Sequence, residues 1–257
     1  MGIRRLAERL SRGVVLRRRL PAKFGRFPIY VTPEASLRYW SAMSQVDSVL
    51  FSVAEEIVKS GSVIWDVGAN VGLFSCCAAA MSGRGGFVLA IEPDFWLAHL
   101  LSRSAQRLAT GKYGGADLEV LCASVSDSNR ISKLAIAQRA RSSNHLIEAV
   151  GSTEAKGARS LQPTVSLTLD FLLEHFPPPS VLKIDAETHE INILKGAKRL
   201  LEEARPTIWC EVSAENSGEV TDLLHTAKYE LYGAQVTPHP HIKRAWFHTL
   251  AVPTPAV

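Results

Sequence analysis

From residue 46 onward, apolar positions fall into blocks with two different periods. Val46, Val49, Leu50, Val53 and Ile57 recur at helical spacing and stop at Gly61, which predicts a helix over 46–60. The short apolar runs at 63–67 and 87–91 predict buried strands, and the Ala-rich segment between them predicts a helix over 71–82. The rhythm continues with helix 94–109, strand 118–122, strand 181–185, helix 188–203, strand 207–212, helix 216–227 and strands 229–234 and 245–251. Residues 123–163 break it. A strand fits 131–136, and 164–169 reads as a strand that leads into a short helix before Pro177, Pro178 and Pro179. The stretch 139–162 is polar and rich in Ser, Arg and Gly, too long for an ordinary connector, and reads as functional or mobile. Strands alternating with helices imply an α/β fold with a doubly wound, mostly parallel seven-stranded sheet. Ahead of it, Pro28, Pro33 and the alternating Ile29 and Val31 predict a short strand or hairpin. The chain thus divides into an N-terminal extension with a strand or loop cap over 1–45 and a core domain over 46–257.

Charge changes the picture at the N-terminus. Residues 1–26 hold eight Arg and one Lys against Glu8, a net +8, so the formal +4 of the whole chain leaves the remainder at −4. Leu6, Leu10, Val14, Leu16 and Leu20 fit one face of a basic amphipathic helix, suited to peripheral contact of residues 1–20 with an anionic membrane or to nucleic acid. The Arg-rich, acid-poor start also resembles a transit peptide, and a solvated helix on the domain's flank is the plain alternative. No apolar run approaches the ~20 residues that span a bilayer. Cys76, Cys77, Cys122 and Cys210 lack metal-ligand spacing and read as thiols in a reducing, cytoplasmic setting.

The chemistry concentrates at two strand ends. In Val63-Ile-Trp-Asp-Val-Gly-Ala-Asn-Val-Gly72 a strand meets a turn of small residues and then a helix, the unit that binds nucleotide-like ligands. Gly68 and Gly72 stand four apart and follow Asp66, so the G-x-G-x-x-G dinucleotide fingerprint is absent. A carboxylate there repels a pyrophosphate and suits a cation, which favours S-adenosylmethionine over NAD. Glu92, followed by Pro93 and Asp94, ends the second strand, where an acid accepts hydrogen bonds from ribose hydroxyls. The second constellation is Lys183-Ile-Asp-Ala-Glu-Thr-His189. Asp66, Glu92 and Asp185 at three strand tips are expected to face one crevice, with Glu187 and His189 reaching it from a loop-to-helix start. Asp185, Glu187 and His189 are the candidates to take a proton from a hydroxyl acceptor. The alternative for His189 is a surface residue in a first helical turn, beside acids that complement the helix dipole. No spacing calls for a metal.

These residues resemble the FkbM-type methyltransferases. The resemblance is carried by Asp66-Val-Gly-Ala-Asn-Val-Gly72 with Glu92-Pro93-Asp94, by Lys183-Ile-Asp-Ala-Glu187 with Ile193-Leu-Lys-Gly-Ala197, and by Cys122-Ala-Ser-Val-Ser-Asp127 and Ser142-Ser-Asn-His-Leu146. It spans roughly residues 46–215 and implies a class I, Rossmann-like, S-adenosylmethionine-dependent enzyme that O-methylates sugars or other small hydroxylated molecules. By position it implies that the turn from Asp66 through Gly68, Ala69, Asn70 and Gly72 holds the methionine part. Glu92 takes the ribose, Ser124 and Asp127 take the adenine side, and Pro93 is a further cofactor-binding residue. Thr188-His189 departs from the more usual Gly-Ala. The polar 139–162 segment is expected to cover the acceptor. Two rivals remain at this level. One is an RNA methyltransferase gripping phosphate with its Arg-rich arm, disfavoured because the fourth-strand tip lacks the Asn/Asp-Pro-Pro-aromatic signature. The other is a non-catalytic S-adenosylmethionine- or sugar-binding module.

Overall fold

The computed structural model describes residues 8–148, 157–235 and 238–255. Leu16–Arg19 (β1) and Pro28–Val31 (β2) pair antiparallel as a hairpin. The basic stretch therefore has a period of two at 16–19, not the helical period expected of it. Gly13, at φ 72°, ends the preceding turn and lets the chain turn into the strand. Arg17 and Arg19 are exposed, whereas the Arg18 guanidinium folds back onto the Tyr39 carbonyl at 2.9 and 3.1 Å. Ser48–Ile57 (α1) starts at Asp47, whose carboxylate accepts from the Leu50 amide at 3.0 Å.

The central unit runs through Val63–Val67 (β3), Leu73–Ser82 (α2), Phe87–Ile91 (β4), Phe95–Leu108 (α3) and Asp117–Leu121 (β5). It resumes after an insertion with Leu169–Leu173 (α4), Val181–Ile184 (β10), Glu190–Lys195 (α5), Thr207–Glu211 (β11), Ser217–Thr226 (α6), Tyr229–Gly233 (β12) and His248–Pro253 (β13). Seven strands form one sheet in the order β12-β13-β11-β10-β3-β4-β5, and only β13 runs antiparallel to its neighbours. Successive residues feed opposite faces. Ile64, Val88 and Ala90 enter one apolar cluster, while Trp65, Leu89, Ile91 and Ile184 enter the other. Strands buried on both faces read as continuous apolar runs, which is why these were legible. The strand order reverses between β3 and β10, and that switch point opens the crevice at their C-terminal ends.

The insertion is a second sheet. Ser124–Val125 (β6), Arg130–Ala137 (β7), His145–Leu146 (β8) and Ala158–Leu167 (β9) lie in the order β6-β9-β7-β8. The polar 139–162 stretch thus ends as a ten-residue strand registered from Ala137↔Ala158 to Arg130↔Ser166; residues 149–156 lie outside the described residues. The helix expected over 188–203 is also shorter. It stops at Lys195 with Gly196 as its cap, a position where a Cβ would come within 2.2 Å of the Ser126 carbonyl, and a π turn follows at Leu200–Ala204. The hairpin belongs to the same body, since Leu20, Phe24, Phe27 and Ile29 share an apolar cluster with Ile64 and Leu101. The described part of the cap, residues 8–45, therefore shares the apolar cluster of the central unit.

Candidate functional site

The turn after β3 is built from backbone groups. The Gly68 and Ala69 amides both donate to the Ile91 carbonyl at 3.0 Å, tying the turn to the tip of β4. Gly68 sits at φ 76°, and a Cβ there would lie 1.8 Å from the Asp185 carbonyl oxygen, so only glycine lets β10 approach this closely. Asn70 also has a positive φ, 54°, and its side chain accepts from the Val71 amide at 2.8 Å. Glu92 pins the turn from the other side, accepting from the Asn70 amide with Oε2 and the Asp94 amide with Oε1, both at 2.8 Å. Burial, with Asp94 nearby, pushes the Glu92 carboxyl up to about 8 despite those amides.

Asp66 is not a cavity residue. It is fully buried beneath the turn, where Ser75 donates to Oδ2 and Lys183 Nζ lies 3.0 Å from Oδ1. The same ammonium reaches the Gly68 carbonyl at 3.3 Å and Asp185 Oδ2 at 3.4 Å. Burial opposes its charge, but the Asp66 and Asp185 carboxylates outweigh that and raise its pKa. Lys183 and Asp66 are register partners on adjacent strands, a pairing that sequence reasoning missed although both residues stood in the quoted motifs. Gly72 also serves packing. At φ 83° it faces Leu101, whose Cδ1 would be 2.1 Å from an added Cβ, so it seats α2 against α3. Asp127 turns outward to Arg130 Nη1 at 2.6 Å, and that hydrogen bond holds its carboxyl at about 2. It does not line the cavity, contrary to its expected place beside the adenine.

The crevice holds a cavity of about 250 Å³ whose walls include Gly68, Asn70, Glu92, Pro93, Ser124, Asp185, Glu187 and His189. A neighbouring cavity of about 240 Å³ runs over the turn and α2, is lined by Ala69, and shares Asp47, Gly68, Asn70, Ser142 and Asp185 with the first. The crevice thus collects most of the residues read as site candidates and leaves out Asp66, Gly72 and Asp127. It adds Glu211, at the tip of β11, which the strand-tip rule should have found. Burial and the Asp185 carboxylate push Glu211 up to about 9. Asp47 and Arg141 come from segments with no motif. The Arg141 guanidinium is held between Asp94 and Glu34, at 3.2 Å from the latter, so the 141–146 segment is tied across the cavity mouth.

His189 is buried, which excludes the surface reading. Its Nε2 lies 3.0 Å from Ser126 Oγ, and burial, reinforced by Arg130, lowers its pKa and favours the neutral ring. The preceding residues are strained, with Glu187 at φ 40° and the β-branched Thr188 at φ 67°. Buried Glu190 holds them by accepting from the Thr188 amide at 3.0 Å, and Asn216 donates to both Glu190 (2.6 Å) and the Thr188 carbonyl (2.9 Å). Among the described residues no group of three or more His, Cys, Asp or Glu is placed to hold a metal ion. Nor is any helix among them long and apolar enough to cross a membrane.

The hexuronic acid methyltransferase AglP of Haloferax volcanii is 27% identical over 175 residues, which are 67% of this chain and 65% of that protein. The chain therefore matches just under two thirds of that relative's length. Among solved structures, a methyltransferase FkbM from Methylobacillus flagellatus superposes with a TM-score of 0.47 at 14% identity, over 78% of this chain and 50% of that one. A SAM-dependent O-methyltransferase from Thermotoga maritima gives a TM-score of 0.42 at 12% identity, over 81% and 66% of the two chains. The profile of the methyltransferase FkbM domain matches residues 66–231, from the buried Asp66 to β12. That span holds both strand-tip motifs and the insertion sheet, and the chain belongs to the FkbM family of S-adenosylmethionine-dependent methyltransferases.

Proposed function

We propose that this chain methylates a hydroxyl of a carbohydrate or another small hydroxylated acceptor. The observation that carries the reading is the set of acids at three strand tips around one cavity: Glu211 at the end of β11 and Asp185 after β10 on one side of the β3 turn, and Glu92 after β4 on the other, with Glu187 beside Asp185. Bound S-adenosylmethionine supplies an electrophilic methyl group. The protein's part is to orient it and to take the proton of a weak nucleophile, and positioning dominates such in-line transfers. In this reading the backbone of Gly68, Ala69 and Asn70 supports the cofactor's centre. Glu92 has lone pairs left for ribose hydroxyls, and Pro93 and Ser124 flank the adenine. Asp185 and Glu187 offset the sulfonium charge and, with neutral His189, are the groups that accept the hydroxyl proton. Glu211, protonated below about 9, donates a hydrogen bond to the acceptor. The name of the Haloferax relative supports a sugar acceptor.

The test has two stages. Calorimetric titration of S-adenosylmethionine should show binding to the wild type and a loss of up to about tenfold in Glu92→Gln, the size expected for one lost hydrogen bond to ribose. Methyl-labelled cofactor is then offered with neutral hexosides and hexuronides, and label in an ether-linked methyl group is the expected product. Cofactor binding without transfer to any hydroxylated acceptor would favour the non-catalytic module.

A further inference from the structure

We infer that Arg38, which precedes the family-matched span, grips the carboxylate at the amino-acid end of the bound cofactor. The inference rests on S-adenosylmethionine as the ligand of the crevice. That ligand is linear: adenine, ribose, sulfonium, then an aminobutyrate carrying one ammonium and one carboxylate. Glu92 and Ser124 mark the nucleoside end in the larger cavity. The other end must then pass over Gly68 into the smaller cavity, along Ala69, Asn70 and the first residues of α2.

That cavity is rich in acid. Asp47 and Asp185 both line it and suit the ammonium. A carboxylate there needs a cation, and three Lys or Arg side chains line the two cavities: Arg38, Arg141 and Lys183. Lys183 has three N–H groups and three acceptors, Asp66, Asp185 and the Gly68 carbonyl. Arg141 is engaged by Glu34 and Asp94. Arg141 lines only the larger cavity and its charge is already matched by two carboxylates, which leaves Arg38 as the cation of the smaller cavity with no acid against it among the described residues. Its side chain gives one hydrogen bond, from Nη1 to the Val46 carbonyl at 3.3 Å, and meets no carboxylate among the described residues. A guanidinium has five donors in a planar fork that matches a carboxylate. Its position is built rather than incidental. Arg38 is the second residue of the 3-10 turn Leu37–Trp40, whose cap is the Ser36 hydroxyl accepting from the Arg38 amide at 3.3 Å. Tyr39 of the same turn is buried and accepts Arg18 through its carbonyl, so the hairpin holds the turn over the cavity. The N-terminal cap thereby completes the cofactor site instead of only flanking it.

The experiment is a ligand–protein double-mutant cycle, read by calorimetry. S-adenosylmethionine and its decarboxylated analogue, which keeps the sulfonium and the ammonium, are titrated into wild type and Arg38→Gln. Wild type should bind the decarboxylated analogue at least about tenfold more weakly, while Arg38→Gln binds both ligands alike, as expected for a charge-assisted pair. Arg38→Lys should restore part of the preference, because a point charge replaces the fork only in part. A preference that persists in Arg38→Gln, or a wild type that binds both ligands equally, overturns the assignment. A folded wild type that binds neither ligand would instead remove the cofactor reading on which it stands.

Discussion

Glu211 shows how a single residue acquires its character from the site rather than from the chain. On the sequence it is one more acid at the end of a strand. In the fold it is half-buried, with Asp185, Glu187 and Asp47 adding negative potential, Lys183 opposing it, and His248 Nδ1 3.7 Å from its Oε1. Its carboxyl is raised from 4.5 to about 9, so the folded state favours the neutral acid. That stabilisation is complete below about 4.5 and is lost as pH climbs through the range up to 9. Thermal melts of the ligand-free protein at pH 5, 7 and 9 should therefore show a fall in Tm that Glu211→Gln reduces. Parallel slopes for the two proteins would contradict the assignment. Glu92, raised to about 8, contributes a drop of the same sign. Asp66 teaches the converse lesson. Its place in the motif was legible, but the motif cannot show that Lys183 takes its charge inside the protein.

Among elements, the central strands were legible and the insertion was not, for one reason. In β3, β4 and β10 both faces are apolar, so pattern and burial agree. In β9 the pattern is inverted. Gln162, Thr164 and Ser166 face inward, while Leu161 and Val165 are exposed. The inward polar groups are satisfied, Gln162 by the Pro93 carbonyl at 2.6 Å and Ser166 by Ser124 at 2.7 Å and Ser132 at 2.8 Å. A strand held by hydrogen bonds to partners distant in sequence leaves no apolar period to read. The 187–189 turn depends likewise on a distant partner, Asn216, just ahead of α6. Asn216→Ala would leave buried Glu190 without that donor and the strained turn without its tie. We expect a loss of about 2 kcal/mol in urea unfolding, the range for a buried acceptor deprived of its partner. A change under about 0.5 kcal/mol, as at ordinary surface positions, would show that Asn216 does not hold the turn.

For the whole molecule, the N-terminal hairpin is part of the core. Phe27 is fully buried and meets the Tyr113 ring edge-on at 5.2 Å, and the Tyr30 amide donates to Ser104 of α3 at 2.9 Å. Phe27→Ala should cost about 3 kcal/mol, measured by chemical denaturation, as for other buried aromatics. A near-neutral result would mean that the hairpin is a detachable cap. The amino-acid sequence alone determined the doubly wound class, the strand ends that carry chemistry, and the cofactor class, although the Asp66 carboxylate that argued against a pyrophosphate lies buried against Lys183 and away from the crevice. These depend on local period and on residue type at a strand tip, which short stretches of chain contain. The tertiary structure decided the rest: Asp66 paired with Lys183, Gly72 against Leu101, Asp127 turned to solvent, and Asp47, Arg141 and Glu211 brought to the crevice. Each of those outcomes depends on which side chain lies within about 4 Å of another across the fold, and in water-poor surroundings that proximity governs charge and hydrogen bonding.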